Sequence, residues 1–309
     1  MIITVTLNPA LDKTVQVPNF QVDQVCRVAE ARLDPGGKGI NISKVVHALG
    51  GRSVAVGIAG GAAGEYIRDQ LDLMGIRNDL VFSRRETRTN LKIVDPVRRT
   101  NTDINEPGAP VTAAELQEVW EKISDLISPG DTVAFAGKTP PGLADGQLAE
   151  WITALRQEGV RVALDTVGMA MKIGVAAGPT VIKPNVMELS ELCEAPLPDR
   201  AAQLAAARKV AANGVEHVVV SLGSGGALFV HNGSALHAHG VRVPVGSTVG
   251  AGDAMMASIL WDLERGLPWE TVAARAVAVS AANVMCSGTQ PASPEDIEPL
   301  LEQVRVELL

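Results

Sequence analysis

The sequence has 309 residues, 46% of them apolar and 20% charged, which is enough to bury a large core and too hydrophobic for a disordered chain. A formal net charge of −8 with no long basic run disfavours nucleic acid and anionic membranes as partners, and no apolar run reaches the roughly 20 residues a membrane helix needs. Cys26, Cys193 and Cys286 lie far apart with no CxxC spacing, which argues against a disulfide framework or a structural zinc site and suits a reducing, cytoplasmic setting.

In chain order, Met1–Leu7 reads directly as a strand, and no signal peptide is expected ahead of it. Thr14–Asp34 breaks the later rhythm, alternating in polarity as a strand with one wet face does. Gly36-Gly37-Lys38-Gly39-Ile-Asn41 follows, ahead of a helical stretch at Ile42–Leu49. It is not a Walker A loop, because Lys38 precedes glycine rather than Ser or Thr; it reads as a clasp for a polyol or phosphate, or as an ordinary turn. Ser53–Ile58 is a buried strand. Arg88–Glu106 alternates again: Arg88, Asn90 and Lys92 share one face, Thr89, Leu91 and Ile93 the other. Two cations flanking an amide suit a phosphate-bearing substrate, and a solvated edge strand is the plainer reading. With Thr14–Asp34 this segment predicts a small second sheet, a lid on the main domain.

Thr112-Ala-Ala-Glu115 is a capping box for a helix to about Ile127. Thr132–Ala136, Val160–Leu164, Thr180–Ile182 and His217–Leu222 are apolar runs of strands buried on both faces. Lys183-Pro-Asn185-Val-Met-Glu188 offers hard oxygen donors suited to Mg²⁺ near phosphates. Ser221-Leu-Gly223-Ser-Gly225-Gly226 either packs under a nucleotide or turns a hairpin into Leu228–His231. His237 and His239 share a strand face but show no third metal ligand; His47 and the tryptophans 120, 151, 261 and 269 read as structural.

Ser247-Thr248-Val-Gly250-Ala251-Gly252-Asp253 leads into a helix ending near Leu263. Free N–H groups at such a terminus, approached closely over glycine, bind an anion. Asp253 is then either a helix cap or a base that takes a hydroxyl proton. Ser293-Pro294 opens the last helix, with Glu295, Asp296 and Glu298 near its N-terminus. Strand–helix alternation over residues 1–309 predicts one α/β domain, a mostly parallel sheet flanked by helices, with lid segments at about 14–34 and 88–106.

Taken together, Asn8-Pro-Ala-Leu-Asp12, the Gly36–Asn41 clasp, Lys183-Pro-Asn-x-x-Glu188, Val220-Ser-Leu-Gly223 and Thr248-Val-Gly-Ala-Gly-Asp253 resemble the PfkB, ribokinase-like carbohydrate kinases, over nearly the whole chain and in the same order. The resemblance implies a doubly wound α/β fold with a β-sheet lid, often clasped against a second subunit, and an ATP- and Mg²⁺-dependent kinase. Thr87-Arg-Thr-Asn-Leu-Lys92 and Thr102-Asp-Ile-Asn-x-Pro-Gly108 are most similar to members acting on fructose 1-phosphate, with tagatose 6-phosphate and fructose 6-phosphate as alternatives.

The resemblance also implies residue roles. Asp12, Gly37, Lys38 and Asn41 would hold sugar hydroxyls; Arg88, with Asn90 and Lys92, the substrate phosphate; Asn185 and Glu188 the metal. Lys183, Asn185, Ser221, Gly223, Gly226, Thr248 and Asn283 would serve the nucleotide. Gly250, Ala251 and Gly252 would form the anion hole, with Asp253 as base. Two departures stand out: Gly137-Lys138-Thr-Pro where the family carries Gly-Ser-Leu-Pro, which puts Lys138 in the sugar-phosphate site, and Glu106 where an apolar or small residue is usual. A dinucleotide-dependent oxidoreductase would need Gly-x-Gly-x-x-Gly after the first strand, where Asn8-Pro9 stands. A catalytically silent sugar-phosphate-binding regulator would have no use for Asp253.

Overall fold

The computed structural model describes residues 1–309. Strand β1 (Ile2–Thr6) is a run of β-branched residues, stiff at χ1 and suited to a pleated sheet, and all five are buried. The chain then leaves the core for β2 (Ala10–Gln16) and β3 (Glu30–Gly36) and returns through helix α1 (Lys38–Ala48). Strand β4 (Ser53–Gly60), helix α2 (Gly61–Leu73) and strand β5 (Arg77–Ser83) complete one side of the main sheet. Strands β6 (Arg88–Asp95) and β7 (Thr100–Asn105) depart again.

Strict alternation follows: α3 (Ala113–Leu126), β8 (Thr132–Ala136), α4 (Gln147–Gln157), β9 (Arg161–Asp165), α5 (Gly168–Ala176) and β10 (Val181–Ile182). Helices α6 (Val186–Cys193) and α7 (Arg200–Ala212) lead to β11 (His217–Ser221) and the hairpin strands β12 (Ala227–His231) and β13 (Ser234–Ala238). Helices α8 (Ala251–Glu264), α9 (Trp269–Met285) and α10 (Pro294–Leu301) precede β14 (Val306–Leu308).

The main sheet has ten strands in the order β14-β13-β12-β11-β10-β9-β8-β1-β4-β5, parallel from β11 to β5 and antiparallel beyond β11. Helices cover both faces. Ile3, Val5, Phe135 and Leu164 pack against α3 to α7, while Ile2, Ala134, Ala163 and Phe229 pack against α1, α8, α9 and α10. From β1 the winding goes to β4 and β5 on one side and to β8 onward on the other. Reversal between β1 and β8 opens a crevice at the carboxyl ends of the strands, where ligands bind in sheets of this kind. No helix is long and apolar enough to cross a membrane.

The second sheet has four strands, β3-β2-β6-β7. It differs in detail from the expected segments. Pairing starts at Ala10 rather than Thr14, and residues 17–29 form no strand; they fold over a small cluster of Val15, Val17 and Ile93 with Phe20 and Cys26. The register lines up Asp34, Asp12, Asn90 and Asn105 across the sheet, and Arg32, Thr14, Lys92 and Asp103 on the same face. Leu33, Lys13, Leu91 and Ile104 occupy the opposite face.

Candidate active site

Helix α8 begins at Gly250, which caps it in the left-handed region at φ 80°, with no side chain contributing to the cap. Glycine suits that angle at no steric cost. The first intrahelical bond runs from Ala254 N–H to Gly250 O (2.8 Å), so the N–H groups of Ala251, Gly252 and Asp253 precede it. A Cβ on Gly252 would lie 3.1 Å from Lys183 Nζ, so glycine leaves this turn open to a second positive group. Asp253 is the third residue of the helix, buried, and not its cap. That removes the helix-cap reading. Its Oδ2 accepts from Asn41 Nδ2 at 2.8 Å. Burial, then the like charge of Asp165, pushes its carboxyl above the usual range, against Lys38, Asn41 and Lys183.

The clasp comes from α1. The helix starts at Lys38, four residues ahead of the expected Ile42, with Gly37 at φ 118° as its N-cap. Lys38 and Asn41 therefore sit one turn apart on one face. Lys38 Nζ donates to Asp165 Oδ1 at 2.6 Å, and Lys183 Nζ stands 3.4 Å from Oδ2, an ion-pair distance rather than an aligned hydrogen bond. Burial alone would lower the Lys38 ammonium, but Asp165 and Asp253 outweigh it and raise it. Burial alone would likewise raise Asp165, and the two lysines hold it down. Asp165 is a site residue that the motifs did not identify. Its one signal is position: a carboxylate ending a buried parallel strand, where the crevice lies.

A cleft of about 610 Å³ joins these groups to Arg88, Asn90, Lys138, Asn185, Glu188 and Ser221. Arg88 is half-buried and braces the wall: Nε donates to Pro9 O (3.3 Å), Nη1 to Glu106 O (2.9 Å) and Nη2 to Asn8 O (3.1 Å). Two of its five N–H groups remain for a ligand. Glu106 has a structural reason, since its Oε2 accepts from Thr89 N–H at 2.9 Å. Asn90 Nδ2 donates to Asp12 Oδ1 at 2.9 Å, so Asp12 stands behind Asn90 rather than on the cleft wall. Lys92 does not reach the cleft. A strand advances about 3.3 Å per residue, and four residues past Arg88 it lies opposite Thr14 and Asp103 instead. Lys138 is exposed on the cleft, whereas Lys38 and Lys183 are committed to Asp165.

On the other wall, Asn185 caps α6. Its side chain accepts from Glu188 N–H (2.9 Å), while Glu188 Oε2 accepts from Asn185 N–H (2.8 Å), a complete capping box. Glu188 keeps Oε1 for another partner. Gly223 to Gly226 turn the β11–β12 hairpin, and a Cβ on Gly226 would lie 2.0 Å from Ala238 O, so that glycine is required by packing. Gly223, Gly226, Thr248 and Asn283 are not on the cleft wall; Asn283 is buried on α9, its Nδ2 3.5 Å from where a Gly250 Cβ would stand. His237 and His239 do gain a third donor, the Glu307 carboxylate, but Arg200 Nη1 sits 2.9 Å from His237 Nε2, a fixed positive charge that opposes a metal there.

The sequence profile of the pfkB family carbohydrate kinases matches residues 5–296. A 1-phosphofructokinase from Rhodobacter capsulatus is 38% identical over 309 residues, covering 100% of this chain and 98% of that protein. A tagatose-6-phosphate kinase from Staphylococcus epidermidis is 30% identical, with 99% of each chain covered. The solved structure of phosphofructokinase-2 from Escherichia coli in complex with substrates and products superposes with a TM-score of 0.94 at 30% identity, over 98% of each chain.

Proposed function

Since the chain belongs to the pfkB family of carbohydrate kinases, we propose that it moves the γ-phosphate of ATP to a free hydroxyl of a ketose phosphate, converting fructose 1-phosphate to fructose 1,6-bisphosphate in the cytoplasm. The observation that carries this reading is Asp253: a buried carboxylate beside the free N–H groups of α8, with its proton affinity raised and no capping duty. Asp253 accepts the hydroxyl proton as the sugar oxygen bonds to the γ-phosphorus and the bridging bond to ADP breaks. The α8 N–H groups meet the charge on the transferring group, which is the main demand of phosphoryl transfer, and Lys183 and Lys38, though paired with Asp165, add positive charge from the same cleft wall. Arg88 and Lys138 hold the phosphate already on the sugar, and Asn90, backed by Asp12, holds a hydroxyl.

The donor set fits Mg²⁺: Glu188 and Asn185 both line the cleft, and Glu188 Oε1 is uncommitted, since the capping box uses only Oε2. Glu188 and Asn185 would hold the ion, which neutralises phosphate charge when bound. Ser221 and the hairpin turn behind it border the nucleotide.

Coupled ADP-release assays with fructose 1-phosphate, fructose 6-phosphate and tagatose 6-phosphate test the assignment. Fructose 1-phosphate is expected to lead in kcat/KM by about tenfold or more. A lead by another ketose phosphate moves the substrate within the family. No ADP release with any of them overturns the kinase reading in favour of a silent binder. In the same assay Lys138→Ser is expected to raise KM for the sugar phosphate about tenfold and leave KM for ATP alone.

A second copy of this chain fits the outer face of the small sheet, where Leu33 and Ile104 are 39% and 53% exposed. Light scattering is expected to give a dimer and Ile104→Asp a monomer; a monomeric wild type rejects it.

A further inference from the structure

Lys44 lies three residues beyond Asn41 on the same face of α1, is 3% exposed, and is absent from the cleft wall. Its Nζ reaches three acceptors: Thr289 Oγ1 (3.0 Å), Pro35 O (3.4 Å) and Asn41 Oδ1 (3.5 Å). All three are neutral, so the ammonium is buried without a carboxylate in contact. The charged groups that face it stand further off: Asp34 and Arg32 on β3, Asp12 on β2 and Asp253 on α8. Burial, against those three carboxylates, brings the ammonium down to about 8. A buried charge held this way is poor value for stability, since an apolar side chain of similar volume often serves as well. Its presence needs another reason, and the neighbouring amide supplies one.

Asn41 donates from Nδ2 to Asp253 Oδ2 at 2.8 Å. Rotated by half a turn, its Oδ1 would face the carboxylate, acceptor against acceptor. Lys44 has only protons to give, so its contact with Oδ1 excludes the rotated amide. We propose that Lys44 is a positioning residue: anchored by Thr289 and Pro35, it fixes the Asn41 amide so that Nδ2 grips one oxygen of Asp253 and leaves the other free to take the hydroxyl proton. The chain Thr289–Lys44–Asn41–Asp253 thus joins the segment after α9 to α1 and α8. The proposal rests on Asp253 as base; Asp253→Asn tests that separately, because it removes turnover whether or not Lys44 matters.

The experiment is a double-mutant cycle with Lys44→Met, Asn41→Ala and both together, read as kcat, KM and the pH profile of kcat/KM. Lys44→Met is expected to lower kcat about tenfold, to leave both KM values within about twofold and to move the acid limb to higher pH, since Asp253 loses its aligned donor and a nearby cation. In the Asn41→Ala background the same change should add little. Wild-type kcat and acid limb in Lys44→Met overturn the proposal, and so do losses that multiply in the double variant. Thr289→Val removes the anchor and keeps the charge; it is expected to shift kcat and the acid limb the same way by less. If Lys44→Met does not fold, that variant decides, and a wild-type profile in it rejects the positioning role.

Discussion

Asp253 and Asp165 are buried carboxylates that share Lys38 and Lys183, yet their surroundings push them in opposite directions. Asp165 touches both ammonium groups and stays ionised; Asp253 touches only an amide and binds a proton more readily. Two titratable groups driven apart in this way mark an assignment of roles. The raised group loses activity as pH falls through its own pKa, so the acid limb of kcat/KM should lie above the ordinary carboxylate range. Asp253→Asn keeps the shape but cannot take the proton. Turnover is expected to fall by about two orders of magnitude or more, with calorimetric affinities for ATP and sugar phosphate near wild type. Near-normal turnover in that variant would return the residue to a structural role. Asp253 was legible in the sequence because glycines lead straight into a helix and place it at the terminus. Asp165 was not, because what makes it a site residue is Lys38, 127 positions away. Lys44 and Thr289 were hidden for the same reason.

The elements were legible where a local pattern decides them. Thr132–Ala136 matches its strand residue for residue, and Thr112 and Ser293 cap their helices as the side chains dictate. Boundaries moved where tertiary pairing decides: β2 starts early because Ala10 pairs with Arg88 and Gly36. Strand β14 is three residues long and gains its register only from β13, so no periodicity announces it. Helix α6 shows a motif with two duties. Asn185 and Glu188 close a capping box and also offer oxygens to the cleft. Glutamine at the third helical position keeps a capping box, so Glu188→Gln separates the duties. It should raise the Mg²⁺ concentration for half-maximal activity with little change in melting. An unchanged Mg²⁺ titration with lower thermal stability would leave the pair structural.

At the scale of the whole molecule, a chain of net charge −8 gathers Arg88, Lys38, Lys138 and Lys183 into one cleft between two sheets. The small sheet turns its polar row of Asp12, Asn90 and Asn105 to the same side as Arg88 and is tied down at few points. Arg32 Nη1 donates to Ser287 Oγ at 2.9 Å, Asn8 Nδ2 to Pro107 O at 3.0 Å, Tyr66 Oη to Leu33 O at 3.2 Å and Lys44 Nζ to Pro35 O at 3.4 Å, and Arg88 braces the β1–β2 turn. Its own apolar cluster is three buried residues, against 32 and 29 in the two layers beside the main sheet. An element with so little buried contact opens more readily than the core, and a ligand that bridges it to the core should suppress that opening. On the proposed placement, a sugar phosphate spanning Asn90, Arg88 and Asp253 would be such a bridge, and ATP, toward Ser221, would not. Hydrogen exchange in β2, β3, β6 and β7 is therefore expected to slow on adding sugar phosphate and to change little with ATP alone. Closure would also exclude water from the transferring phosphoryl group, which would otherwise be lost to hydrolysis. Protection confined to Ser221–Gly226 and the α8 terminus would show that the small sheet does not act as a lid.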